Sequence, residues 1–288
     1  MPLKTILVPL AGAETDPVAL KAALVVARDF NAHVTALFVK LDPRDAVPML
    51  GEGMSGAMVE EIMRSAEAEA NVSLMAARRH FEAVVAEASV ELADTPLGIE
   101  GPTASWHEVV GRIDEVVPVE GRLSDLLVFA VPSGGEANQA MAAIETALLS
   151  AGRPLLLVPK NAPATIGRSV AISWNGNAEA ARAVTGAMPF ITNADTVSVL
   201  TAETSVTQPA AGRRIADYLA WHRVDAQLTI VRPGSEPVGK ALMDRAAGLG
   251  CDLLVMGGYG HSRMREMILG GVTRYVLNHA GLPVLMAH

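Results

Sequence analysis

The sequence predicts an α/β protein made of two tandem doubly wound units, each with a five-stranded parallel sheet, packed as a pseudo-dimer within one chain. Three observations lead there. The order strand, turn, helix, strand occurs twice; the strand-like runs are short and apolar without alternation; and the two halves close on matching segments. Non-alternating strands separated by helices mark a parallel sheet covered on both faces. The length of 288 residues suits two domains of about 100–150 residues each.

The elements follow in order. Residues 4–9 are an aliphatic run that ends at a glycine-containing turn. Residues 16–30 carry Val18, Leu20, Ala22, Val25, Val26 and Phe30 at helical spacing, and residues 32–39 read as the next strand. The second half repeats this with a strand at 169–173, a turn at Asn175-Gly176-Asn177, a helix at 179–190 and a strand at 196–200. Ser124-Asp125-Leu126-Leu127-Val128 matches Cys251-Asp252-Leu253-Leu254-Val255. Arg153-Pro154-Leu155-Leu156-Leu157-Val158 matches Leu282-Pro283-Val284-Leu285-Met286-Ala287. The expected units are 1–159 and 168–288, joined by a polar linker at 160–167. Their closing strands, 154–158 and 283–287, are expected to pair or pack across a pseudo-two-fold, since bare edges invite association.

The first half is longer because it carries an insertion. Met58, Ile62, Ala66, Ala70, Leu74, Ala77, Phe81, Val84 and Ala88 recur at steps of three or four, which predicts one long amphipathic helix over 54–87 with its stripe toward the core. Residues 41–53, with two prolines and two glycines, read as a loop.

Composition narrows the function. The formal net charge is -8 and the pI about 5.4, an acidic surface that argues against nucleic acid as a partner. A single cysteine, Cys251, excludes an intramolecular disulfide and a cysteine metal cage, and reads as a small buried hydrophobe. The start of the chain shows no signal-peptide pattern, and no apolar run reaches the roughly 20 residues that span a bilayer. The expectation is a cytoplasmic protein without membrane contact.

One segment carries chemistry: the run from Leu253 to Thr273 holds Gly257, Gly258, Gly260, Gly270 and Gly271. Gly257 and Gly260 clear side chains from the carboxyl end of a strand, where a ligand could reach backbone amides. Gly270 and Gly271 open a helix at 272–279, whose first N–H groups lack intrahelical partners and sit at the positive end of the dipole. Together these elements could cradle a polyphosphate. A tight turn plus a close helix–sheet contact explains the same glycines. The pattern is neither a Walker loop nor a dinucleotide fingerprint.

The spacing Gly257-x-x-Gly260, then nine residues to Gly270, resembles the ATP-binding signature of the universal stress protein family. The Asn-Gly turn after the opening strand, the Asp-Leu-Leu-Val-Met-Gly strand and the closing strand after Leu282-Pro283 are similar as well. The resemblance implies a five-stranded parallel α/β unit that pairs through its last strand, in dimers or in tandem chains; some members bind ATP or AMP and others bind no nucleotide. It assigns Gly257, Gly260 and Gly270 to the phosphate loop. Gly271 stands where the family has Ser or Thr, so an N–H remains and a hydroxyl is lost, worth about 0.5–1.5 kcal/mol net. Thr273 is the nearby hydroxyl that could compensate. Asn175 stands where ATP-binding members often have Asp against adenine. The expected nucleotide set is therefore Asn175, Gly257, Gly258, Gly260, Gly270, Gly271, Val272 and Thr273, for ATP or AMP with or without Mg²⁺.

The first half departs from that pattern. Residues 129–135 lack the G-x-x-G spacing, Pro132 removes a donor, and Ala11 replaces the acid after the first strand, so no nucleotide is expected there. His261, His279 and His288 show no metal-ligand spacing. Arg263 and Arg265 could face a phosphate or solvent, and Trp174 an adenine ring or the core. No nucleophile–base pair is evident, so catalysis is not expected, although slow ATP hydrolysis stays open. Alternatives to a nucleotide-binding stress regulator are an interaction scaffold without nucleotide and a slow ATPase; a homodimer or an unidentified protein partner fits either.

Overall fold

The computed structural model describes residues 2–47, 55–95, 100–132, 137–161, 164–203, 210–259 and 271–288, without the side chains of 137–139 and 210–211. The first half runs β1 (Thr5–Leu10), α1 (Asp16–Phe30), β2 (His33–Lys40), α2 (Gly56–Ala88), β3 (Glu91–Leu92), β4 (Thr103–Val110), α3 (Ile113–Gly121), β5 (Leu126–Ala130), α4 (Ala137–Ser150) and β6 (Leu155–Val158). The second runs β7 (Ser169–Ser173), α5 (Ala178–Asn193), β8 (Thr196–Ala202), α6 (Ala210–Trp221), β9 (Ala226–Val231), α7 (Val238–Gly248), β10 (Leu253–Gly257), α8 (Gly271–His279) and β11 (Val284–Ala287).

All strands lie in one eleven-stranded sheet, ordered β3-β4-β2-β1-β5-β6-β11-β10-β7-β8-β9. Pairing is parallel everywhere except at the centre, where β6 and β11 run antiparallel with Leu156 opposite Leu285. The closing strands therefore pair, as expected, and fuse two α/β sheets into one body. The first sheet differs from the expected five strands, because the two-residue β3 adds to the edge of β4. It forms where the chain leaves the inserted helix α2 and passes alongside β4 before entering it.

The four residues of β6 and of β11 are all buried, as their lack of alternation requires for strands covered on both faces. One face of the sheet carries α1, α2, α5 and α6 and the other α3, α4, α7 and α8, and each apolar layer runs across both halves. Phe30 of α1 meets Phe190 of α5 edge to face at 5.1 Å, a contact between the halves.

The matching Asp-Leu-Leu-Val segments have a common job. Asp125 accepts from the N–H groups of Lys4 and Thr5, and Asp252 from those of Gly167, Arg168 and Ser169. Each carboxylate thus ties the entrance of its unit's first strand to that of the fourth parallel strand in the chain order expected for each half. These N–H groups would otherwise lack a partner at the start of a strand.

Helix α2 is a single helix, but its stripe is not uniformly core. Ala77, Phe81, Val84 and Val85 are buried, whereas Met58 is exposed. The reason is reach: 33 residues span about 50 Å, longer than the sheet can cover.

Candidate functional site

In an open α/β sheet a ligand sits beyond the strand carboxyl ends, where the strand order reverses. In the second half that point is the pair β7 and β10, since β8 and β9 extend one way from β7 while β10 and β11 lie on the other. The carboxyl ends there bring together the 175–177 turn, residues 257–259 and the start of α8.

Gly257 ends β10 beneath the first turn of α5. A Cβ on it would lie 2.6 Å from the Ala180 nitrogen and 2.8 Å from the Glu179 carbonyl carbon. Its missing side chain therefore serves close helix–strand packing, and helix backbone already fills the space. Gly258 is buried: its N–H donates to the Ala287 carbonyl at 2.8 Å, and a Cβ would meet Leu148 of α4 at 2.8 Å. His288, near the closing strand, places Nδ1 3.1 Å from the Gly258 carbonyl.

Tyr259 follows in a left-handed conformation, with φ of 52°. Its N–H donates to the Thr273 hydroxyl oxygen at 3.1 Å, and its own hydroxyl donates to Glu145 Oε1 at 2.7 Å. Thr273 is buried, so its hydroxyl joins the strand end to α8. Gly271, the first residue of α8, is different: a Cβ there would meet nothing within 4 Å among the described residues. Val272 is half-buried beside it, and its carbonyl lies 3.1 Å from where a Cβ of Gly239 would stand in α7. The N–H groups of a helix's first turn lack i−4 partners, so this open start is where an anion can approach.

Asn175 is exposed, and its Oδ1 accepts from the Asn177 N–H at 3.0 Å, stabilising the turn into α5. Its side-chain amide keeps its donor hydrogens. Gly260 and Gly270, like Arg263, Arg265 and His261, lie outside the described residues. Among the described residues no group of three His, Cys, Asp or Glu side chains is placed to hold a metal ion.

The corresponding corner of the first half is covered. A Cβ on Gly12 would stand 2.4 Å from the Ser73 carbonyl oxygen of α2, so the inserted helix rests directly on the β1–α1 turn. That turn is also bonded internally: the N–H groups of Ala11 and Gly12 donate to the buried Asp16 carboxylate. His80 of α2 brings Nδ1 to 3.6 Å from Asp16 Oδ2, and this nitrogen is buried without a hydrogen-bond partner among the described residues. Burial pushes the Asp16 carboxyl up from its ordinary value, against the pull of those N–H groups and of His80.

The model of the Universal stress protein family matches residues 177–288. These residues belong to the universal stress protein family. The fold of the whole chain is similar to that of a universal stress protein from Archaeoglobus fulgidus DSM 4304, with a TM-score of 0.63 at 14% identity, covering 98% of this chain and 97% of that one. It is also similar to a putative universal stress protein from Pseudomonas aeruginosa UCBPP-PA14, with a TM-score of 0.56 at 15% identity, covering 99% and 93%. Comparison with curated protein sequences finds no match.

In this universal stress domain the structure brings together Gly257, Gly258, Gly271, Val272 and Thr273, with Asn175 at the neighbouring turn. Sequence reasoning missed Tyr259 and Glu145, and the cover that Ser73 and His80 place over the first half. The left-handed Tyr259 left one signal, its position in the Gly257–Gly260 run. Its Glu145 partner left none, being 114 positions away.

Proposed function

We propose that the universal stress domain binds one adenine nucleotide, ATP or AMP, with its phosphates at the start of α8, and acts as a regulator without efficient catalysis. The observation that carries this is Gly271: it opens a helix at the sheet's switch point with, among the described residues, free space where a side chain would be, beside the bonded pair Tyr259 and Thr273. The resemblance of the glycine spacing to the family's ATP signature supports the same reading. The lost Ser/Thr hydroxyl at Gly271 weakens the site rather than removing its backbone donors. Asn175, with donor hydrogens to spare, is the adenine-side contact in this reading. Mg²⁺ would arrive with the nucleotide. A cytoplasmic stress-response role, with a second copy or another protein as the responding partner, completes the proposal.

A scaffold without nucleotide is the second reading, and one observation favours it: Gly257 and Thr273 are both engaged in the protein's own packing. Titration calorimetry with ATP, ADP and AMP, with and without Mg²⁺, separates the two. Binding at one nucleotide per chain that is lost in Gly271→Glu supports the regulator, because the new carboxylate enters open space and repels phosphate without disturbing the fold. Folded, nucleotide-free protein that binds none of them leaves the scaffold. Linear turnover of ATP by pure protein would instead support a slow ATPase.

A further inference from the structure

A concave site lies between two helices on the face of the sheet opposite α8. It is a groove of about 500 Å³ between α5 and α6, reaching the end of β7. That volume falls within the range of about 300–1,000 Å³ typical of small-molecule sites. Val184 and Ile215, both nearly inaccessible, belong to the apolar layer on the α5/α6 face, whereas Val276 and Leu277 of α8 belong to the opposite layer. The helix walls of the groove therefore lie on the opposite face from α8, while Trp174 and Gly176 at its end flank Asn175 of the proposed nucleotide site, so competition with ATP decides whether the two sites are distinct.

Its lining combines two aromatic rings with one cation. Trp174 is half-buried at the end of β7, and Tyr218 on α6 is 43% exposed, with its ring 4.9 Å from that of His222. Arg214 stands one turn before Tyr218 and, among the described residues, forms neither an ion pair nor a hydrogen bond. The indole N–H of Trp174 and the Tyr218 hydroxyl also make no hydrogen bond among these residues. Thr185 has already given its hydroxyl proton to the Ala181 carbonyl. Among the described residues, the groove thus offers flat apolar surface, a guanidinium and neutral donors, and no carboxylate.

We infer that this groove binds a small planar aromatic anion, its ring against Trp174 and Tyr218 and its carboxylate or sulfonate on Arg214. Arg fits such a partner because its planar fork pairs with a carboxylate through two parallel N–H donors, and a charge-assisted bond is roughly twice as strong as a neutral one. Aromatic faces meet a flat ring at little conformational cost, and Tyr218 and Trp174 each have a polar end to orient it. The protein's overall charge of -8 makes an arginine without an ion pair among the described residues, beside half-buried Trp174 and exposed Tyr218, a local exception to its surface.

The test titrates the full chain with 2-naphthoate and with neutral 2-naphthamide, in a Trp106→Phe, Trp221→Phe background where Trp174 alone reports by fluorescence. The expected result is saturable quenching at one naphthoate per chain, with 2-naphthamide weaker by about tenfold or more. Arg214→Gln should erase that preference, and Ala181→Phe, a filling change at an exposed helix position lining the groove, should abolish both signals. Saturating ATP should leave the naphthoate isotherm unchanged. The inference is overturned by absence of saturable binding, by equal affinity for acid and amide, by an unaltered preference in Arg214→Gln, or by competition with ATP. Loss of ATP binding alone would strike the nucleotide proposal and leave this one standing.

Discussion

The Tyr259 hydroxyl reaches out of the universal stress domain and donates to Glu145 on α4 of the first half, at 2.7 Å. Beside it, Gly258 is buried against Leu148 of the same helix. The chain leaving β10 toward the proposed phosphate site is thus seated on the other half of the protein. This provides a physical route by which the first half, without a site of its own in this reading, can influence the second.

Tyr259→Phe and Glu145→Gln are therefore expected to weaken nucleotide affinity by severalfold, together with a stability loss of about 1–3 kcal/mol for a hydrogen bond to a charged group. A double-mutant cycle read by calorimetry should show a coupling energy near the single effects, because either change alone breaks the same bond. Additive effects on affinity would separate the contact from the site.

Gly257→Ala and Gly12→Ala should both destabilise by about 1–3 kcal/mol, since in each case a methyl group is driven into backbone. At Gly12, whose φ is 77°, the left-handed backbone adds to the cost. Chemical denaturation measures both. Gly271→Ala, facing open space, should be close to neutral in the same assay, which distinguishes packing glycines from the one left for a ligand.

Asp16 makes stability depend on pH. Its folded carboxyl titrates above the ordinary 3.8, with burial as the leading cause. The folded state therefore holds this proton to higher pH than the unfolded chain does. Its contribution is fully present below the ordinary carboxylate value and is lost as pH rises through the raised folded value. NMR titration of the Asp16 side-chain carbon should give a midpoint above 3.8, and this component of the pH–stability curve should vanish in Asp16→Asn.

The antiparallel join of β6 and β11 also has a measurable consequence. We propose residues 1–159 and 168–288 as the two folding units. A fragment of 168–288 exposes the edge of β11, all four of whose residues are buried in the full chain. It should dimerise through that strand, with one copy replacing β6 of the other, as sedimentation velocity would show. A monodisperse monomer would mean that β11 does not need its partner.

Much of this protein was legible along the chain because the information was local. Short unalternating runs such as Leu155–Val158 and Val284–Ala287, too short for helices and set between helical segments, read as strands buried on both faces, and their repetition at matched positions pointed to two α/β units joined through their closing strands. The glycine-rich run beginning at Gly257 marked the carboxyl end of β10 and the start of α8. Tertiary structure alone decided what each glycine does, because a missing Cβ has meaning only through what occupies its place: the backbone of α5 at Gly257, Leu148 at Gly258 and, among the described residues, open space at Gly271. It also decided that α2 rests on Gly12, that Thr273 holds Tyr259, and that Arg214 lines one groove with Trp174, without an ion pair among the described residues. Such contacts join residues tens to more than a hundred positions apart, and periodicity and spacing record only neighbours along one strand or one helix.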